Sequence, residues 1–173
     1  MRSVSVTVFA VAALAAGAAH AQAPSDPQIA GIVVTANQID IDAGKLAKSR
    51  SKNKEVQGFA NQMIKDHTAV NKQAVALAKK LGVKPEGSDT QASLKKGAQE
   101  NVANLKKLKG AQFDKAYVDH EVAYHQAVLD AIDKTLIPSA QNAELKGLIE
   151  KVRPAIAAHL DHAKHLQGTL GKS

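Results

Sequence analysis

Apolar residues return every third or fourth position along most of this chain, the spacing that lines up one face of an α-helix. In the stretch Phe59–Val70, FANQMIKDHTAV, the apolar positions are Phe59/Ala60, Met63 and Val70, continued by Ala74, Leu77 and Leu81. His67 falls on that same face, where a leucine would be ordinary. A near copy lies downstream in Tyr117–Val128, YVDHEVAYHQAV, which places Tyr117 over Phe59 and His125 over His67. A third helical stretch, Pro154–Leu166, carries His159 on its own apolar face.

The same spacing predicts the remaining elements. A first helix opens at Asp26-Pro27, with Asp26 as N-cap and proline at the first helical position. Its stripe runs Ile29, Val33, Ala36, Ala43 and Ala47, with Asp40 filling the missing step and Asp42 facing water. After a polar link, Ser49–Asn53, the second helix runs to Leu81-Gly82, with Pro85 shortly after as a stop. Pro85–Thr90 is turn-rich. Gln91–Lys109 reads as a lysine-rich crossover helix, and Gly110 breaks it. The next helix runs from Ala111 to about Lys134, with Val118, Val122, Leu129 and Ile132 on the His125 face. Ile137-Pro138 separates it from a last helix beginning at 139–142. There Pro154 predicts a kink or a restart, because proline cannot donate to the carbonyl four residues back. No segment alternates like a strand. The expected fold is all-α, a ferritin-like four-helix bundle with an additional short crossover helix.

The first residues do not fit that bundle. Arg2 precedes an uncharged apolar run, Val4–Ala19, and Ala19-His20-Ala21 is a small-x-small cleavage site. Residues 1–21 are therefore expected to be a secretory signal, with 22–173 a single domain. The competing readings are a cut after Ala23 and an uncleaved anchor. The run is short for a membrane span. These features predict a periplasmic protein.

Composition narrows the chemistry. The chain has no cysteine, so disulfides, thiolate metal sites and covalent c-type haem are excluded. Lys and Arg number 23 against 16 acids, a net charge of +7 that becomes about +6 once Arg2 is removed. The lysines are scattered and aromatics are only 3% of the chain, which leaves little on which bases could stack. Nucleic acid is not an expected partner; attraction to anionic envelope surfaces is a better use of the charge.

Imidazole is a common ligand for iron, copper and zinc. His67, His125 and His159 are predicted to point inward, and Asp40, Asp114, Tyr117 and Glu121 are the oxygen donors best placed to join them. His67, His125, His159 and Asp40 each interrupt an apolar stripe, where an unpartnered neutral polar group costs roughly 2–7 kcal/mol. These seven residues are the candidate metal ligands. Counting turns puts His125 about 8 residues before its helix end and His159 about 17 after its helix start. At 1.5 Å per residue that is about 13 Å of difference in depth. One site and two smaller polar clusters both remain open. The Glu-x-x-His pairs of di-iron bundles are absent from the sequence. The run His159, His162, His165 could chelate at i, i+3, against a solvated helix end. A b-type haem on Met63 or a histidine competes with Met63 as ordinary core.

The ordered set Asp40-Ile-Asp42-Ala-Gly44-Lys-Leu-Ala47, Phe59-Ala-x-x-Met63-Ile-x-Asp66-His67, Phe113-Asp114-x-x-Tyr117, His125 and Pro154-x-x-x-x-His159-Leu resembles the exported bacterial domain of unknown function numbered 4142. The resemblance covers almost the whole predicted mature chain. It implies a ferritin-like bundle in the cell envelope and no assigned reaction. Asp40 and Asp42 stand where that family usually carries glutamates. Members are often labelled outer-membrane proteins, yet this chain has neither a barrel-like alternation nor a second apolar span. Two functions follow as expectations: a metal-binding envelope protein, or a non-enzymatic structural bundle whose inward histidines only hydrogen-bond in the core.

Overall fold

Ser25, not Asp26, caps the first helix. Its hydroxyl accepts from the Gln28 backbone while the Gln28 side chain accepts from the Ser25 backbone, a reciprocal capping box. Helix α1 then spans Asp26–Arg50. The cap lies one residue earlier than the sequence suggested because the Asp26 carboxylate is engaged elsewhere. It accepts from the backbone N–H groups of Gln141 and Asn142, both at 2.9 Å, which pins the start of the chain's last helix to the start of its first. The computed structural model describes residues 23–170. The predicted signal segment, 1–21, lies outside the described residues.

A three-residue link leads into α2, Lys54–Lys80, capped by Asn53. Gly82 ends it as predicted. With φ at 64° it takes the left-handed conformation, and Val83 N–H reaches back to Ala78 while Gly82 N–H reaches Lys79. The crossover helix α3 covers Asp89–Leu105, starting earlier and ending four residues sooner than expected. Its end is set from outside. The Arg50 guanidinium lies over the Phe113 ring and donates to the carbonyls of Lys106 and Leu108, taking them out of any helical ladder. Gln91 ties the front of α3 to α1 by donating to Thr35 Oγ1 at 2.8 Å and to the Gly31 carbonyl at 3.2 Å.

Helix α4, Gly110–Ala131, does not stop where the sequence suggested. It widens into a π-helical stretch, Ile132–Leu136, and continues through a single turn, α5, Ile137–Ser139. Pro138 has no N–H to give the preceding turn, and the widened stretch lies directly before it. The last helix, α6, spans Ala143–Leu170 from an Asn142 cap. Pro154 sits inside α6 without a restart, so that part of the expectation is corrected. Glu150, the residue four before the proline, and Pro154 itself are both exposed.

The described residues form an all-α bundle. Helices α1 and α2 make one hairpin, α4 and α6 the other, and α3 crosses between them against α1 and α4. Because α1 borders α2 and α4 while α6 borders α4 and α2, helices α2 and α4 face each other diagonally across the centre. Two apolar clusters fill the interior. One is built around Phe59, Met63, Phe113, Tyr117, Val118 and Leu166; the other around Ile29, Ile32, Leu129, Ile149, Ile156 and Leu160. Between them in chain position lie Asp40 on α1, His67 on α2 and Glu121 and His125 on α4, while His159 on α6 sits between Ile156 and Leu160 at the edge of the second cluster. No described helix is long and apolar enough to cross a membrane.

Candidate metal centre

The repeated segments on α2 and α4 meet in the middle of the bundle. Phe59 packs edge-on to Tyr117 with ring centroids 6.2 Å apart, and two turns further on His67 meets His125 at 5.7 Å. His159 comes from α6 to complete a triangle, 5.2 Å from His67 and 5.6 Å from His125. All three are essentially buried. One ring nitrogen from each histidine lies within 4.8 Å of the others, and Asp40, Glu121 and His125 meet the same limit. His125 belongs to both groups, and His67 Nε2 lies 3.5 Å from Asp40 Oδ2. The five residues make one centre.

The expected difference in depth between His125 and His159 does not exist, and the reason is the π-helical stretch. Helical rise continues from His125 for fourteen residues to Ser139, and His159 lies sixteen residues after Ala143. Two residues of difference amount to only about 3 Å.

Each histidine donates one ring hydrogen bond, and these bonds determine which nitrogen keeps a lone pair. Asn37 Nδ2 donates to the Val33 carbonyl at 2.8 Å, so Asn37 Oδ1 is left as an acceptor and takes the proton of His67 Nδ1 at 2.8 Å. His125 Nδ1 donates to the Glu121 backbone carbonyl at 3.0 Å. His159 Nε2 donates to the Asp66 carboxylate at 3.1 Å. A neutral imidazole with one nitrogen donating has a lone pair on the other. The nitrogens left with lone pairs are therefore His67 Nε2, His125 Nε2 and His159 Nδ1, while His125 Nδ1 also lies 3.5 Å from Glu121 Oε2. None of the three has a hydrogen-bond partner, and neither do Asp40 Oδ1 or either carboxylate oxygen of Glu121.

Burial disfavours charge throughout the centre. Burial lowers His67 to about 3, with the other two histidines adding to the effect, and lowers His125 to about 4 despite the bond to the Glu121 carbonyl. Burial also lowers His159, against the pull of Asp66. Both carboxyls move the other way. Burial pushes Asp40 well above its usual range, partly offset by Glu121, and burial followed by the charge of Asp40 does the same to Glu121. Neutral imidazoles are the form that binds a metal, and the carboxyls give up protons when a cation arrives.

The remaining predicted donors lie further down α4. Tyr117 is one turn from Glu121, fully buried in the apolar cluster, with its hydroxyl unpartnered and its ionisation pushed well up by burial and the two carboxyls. Asp114 is two turns away, buried with Oδ1 unpartnered, and belongs to neither close group. Asp42 faces solvent and pairs with Lys45, as expected. His162 and His165 are exposed while His159 turns inward, and Met63 is packed core. Sequence reasoning missed Asn37 and Asp66 as orienting groups. Asn37 sits one turn before Asp40 on the same face, and that placement was the available signal.

Comparison with known proteins gives one match. A family described as Domain of unknown function (DUF4142) matches residues 11–166. No curated protein and no solved structure gives a significant match.

Proposed function

This chain belongs to the DUF4142 family, to which no activity is assigned, and we propose that it is an exported bundle that binds one transition-metal ion at its centre. The observation that carries this reading is a set of buried atoms without hydrogen-bond partners, three imidazole nitrogens and three carboxyl oxygens, on two adjoining donor triads that share His125. Leaving six such atoms unsatisfied, at roughly 1–3 kcal/mol each, would cost about as much as the 5–15 kcal/mol that a domain has in total. A divalent cation held by either triad would satisfy one donor atom from each of its three residues. It also balances the two carboxylates, giving a centre with no net charge in an apolar surrounding.

The donor set selects the ion class. Three imidazoles with one or two carboxylates, and no sulfur, suit iron, zinc or copper better than calcium or magnesium, which prefer oxygen. The outer hydrogen bonds from His67, His125 and His159 match the usual support of metal-bound histidine. A purely structural core would be expected to satisfy both nitrogens of each ring. The role that fits is metal handling in the cell envelope. Export is supported by the uncharged leader with its Ala19-His20-Ala21 site, and surface association by the positive charge.

Tag-free protein, loaded and dialysed, is expected to hold one ion per chain. The double variant His67→Ala/His159→Ala should lose the ion and lose thermal stability only when metal is present. Equal destabilisation with and without a chelator would contradict the proposal.

A further inference from the structure

The bundle is not filled beside its donor cluster. A partly open cavity of about 140 Å³ runs from Asn37, Asp40 and His67 toward the π-helical stretch. Away from those three residues its wall is largely hydrocarbon, with Ile32, Leu94, Val128, Leu148 and Ile149 among the side chains that form it. Ile132 and Leu136, both in the π-helical stretch, close its far end. Widened turns of this kind recur at functional sites. Here the stretch both sets the depth of His125 and lines the space next to it.

A second space lies outside the first. A more open cleft of about 300 Å³ runs under α3 between Ile39, Ser93, Ala98 and His120. The two share Thr90, Leu94 and Tyr124, which form the partition between them. Tyr124 donates from its hydroxyl to the Ala36 carbonyl at 3.1 Å, and its ring stacks on His120 at 5.6 Å. The helix covering this route, α3, has Leu105 as its one buried residue.

We propose that the cavity is a binding site for one small, uncharged, apolar molecule no larger than a benzene ring, admitted past Tyr124 and held against the Asp40–His67 side of the donor cluster. Volume and lining decide the class. Apolar cavities of about 150 Å³ stay dry and take up benzene or xenon, whereas an acyl chain or a sugar does not fit. A charged ligand would meet hydrocarbon on every side except at the donor cluster itself. The cavity stands without any metal. Its placement beside a bound ion rests on the function proposed above.

Benzene is the probe, titrated into tag-free protein in metal-free and metal-loaded form and followed by NMR. Saturable binding is expected in both. Ala131→Leu and Val128→Phe, which fill the cavity away from the donors, should weaken it by about ten-fold or more and leave metal stoichiometry unchanged. Absence of saturable binding, or unchanged affinity in folded filled variants, overturns the proposal. Should neither variant fold, xenon under pressure gives the answer on the unmodified protein. Shifts confined to the methyl groups of Ile32, Val128 and Ile149 support the cavity, and shifts elsewhere or none overturn it. Benzene binding by a protein that takes no metal would sink only the metal reading; metal without benzene would sink only this one.

Discussion

Asn37 Oδ1 accepts the proton of His67 Nδ1 at 2.8 Å, and Asn37 cannot turn over because its Nδ2 is committed to the Val33 carbonyl. One amide therefore decides which nitrogen of His67 faces the bundle centre. Asn37→Ala removes that control and leaves a buried donor without a partner. Metal affinity is expected to fall by about 10–100-fold, the usual effect of losing an orienting partner. Calorimetric titration of the loaded ion measures it; affinity equal to the parent's would show that the bond has no orienting role.

Glu121 gives a sharper separation of stability from binding. Its carboxyl is buried beside Asp40 and held well up by burial and by the charge of Asp40. Glu121→Gln keeps the shape and removes the group that resists ionising. The metal-free protein should be as stable as the parent at neutral pH or more so, while the metal-dependent gain in melting temperature shrinks. Thermal scans with and without metal test both halves, and a variant that keeps the full metal gain would remove Glu121 from the donor set.

The metal-free protein should respond to pH from two directions. Histidines lowered in the fold contribute stability that is present above 6.5 and lost as pH falls toward about 4 for His125 and about 3 for His67. Carboxyls raised in the fold do the opposite: their contribution is present below 3.8 for Asp40 and 4.5 for Glu121, and lost as pH rises toward their raised values. Each group supplies a slope of at most about 1.4 kcal/mol per pH unit. Below 6.5 the two sets oppose each other. Denaturant midpoints of metal-free protein should therefore vary with pH as the buried carboxyls and histidines titrate, and the metal-bound form, whose carboxyls are already ionised and histidines held neutral, should not follow. Parallel curves for the two forms would speak against ionisable carboxyls in the centre.

Gly31 serves the packing rather than the centre. A Cβ there would meet the Glu86 backbone carbonyl oxygen, and Glu86 is fixed by its own N–H bond to the Pro27 carbonyl. Gly31→Ala should destabilise by about 1–3 kcal/mol, the usual scale for overpacking, with metal content unchanged. Chemical denaturation together with metal analysis checks it; a neutral substitution would show that the linker yields.

Much of this was readable from residue spacing. The faces of α1, α2, α4 and α6 follow from apolar residues three and four apart, and the repeat of Phe59 and His67 in Tyr117 and His125 foreshadows their meeting across the bundle. Depth along the axis was not readable. It depends on a π-helical stretch at Ile132–Leu136, which local spacing does not distinguish from an ordinary helix end before Pro138. The caps went astray for a similar reason: Asp26 binds the backbone at Gln141 and Asn142, over a hundred residues away, so Ser25 takes the local role. Asp66 was quoted in the family pattern, but only the packing of α2 against α6 shows that it holds His159.

Anomalous diffraction at the absorption edge of the loaded metal, from crystals of the tag-free protein, tests the central claim most directly. One peak should lie between His67 Nε2, His125 Nε2 and His159 Nδ1, at about 2.0–2.2 Å from each and from a carboxylate oxygen of Asp40 or Glu121. A peak only at the exposed His162 and His165, or none from protein saturated with iron, zinc or copper, would contradict it.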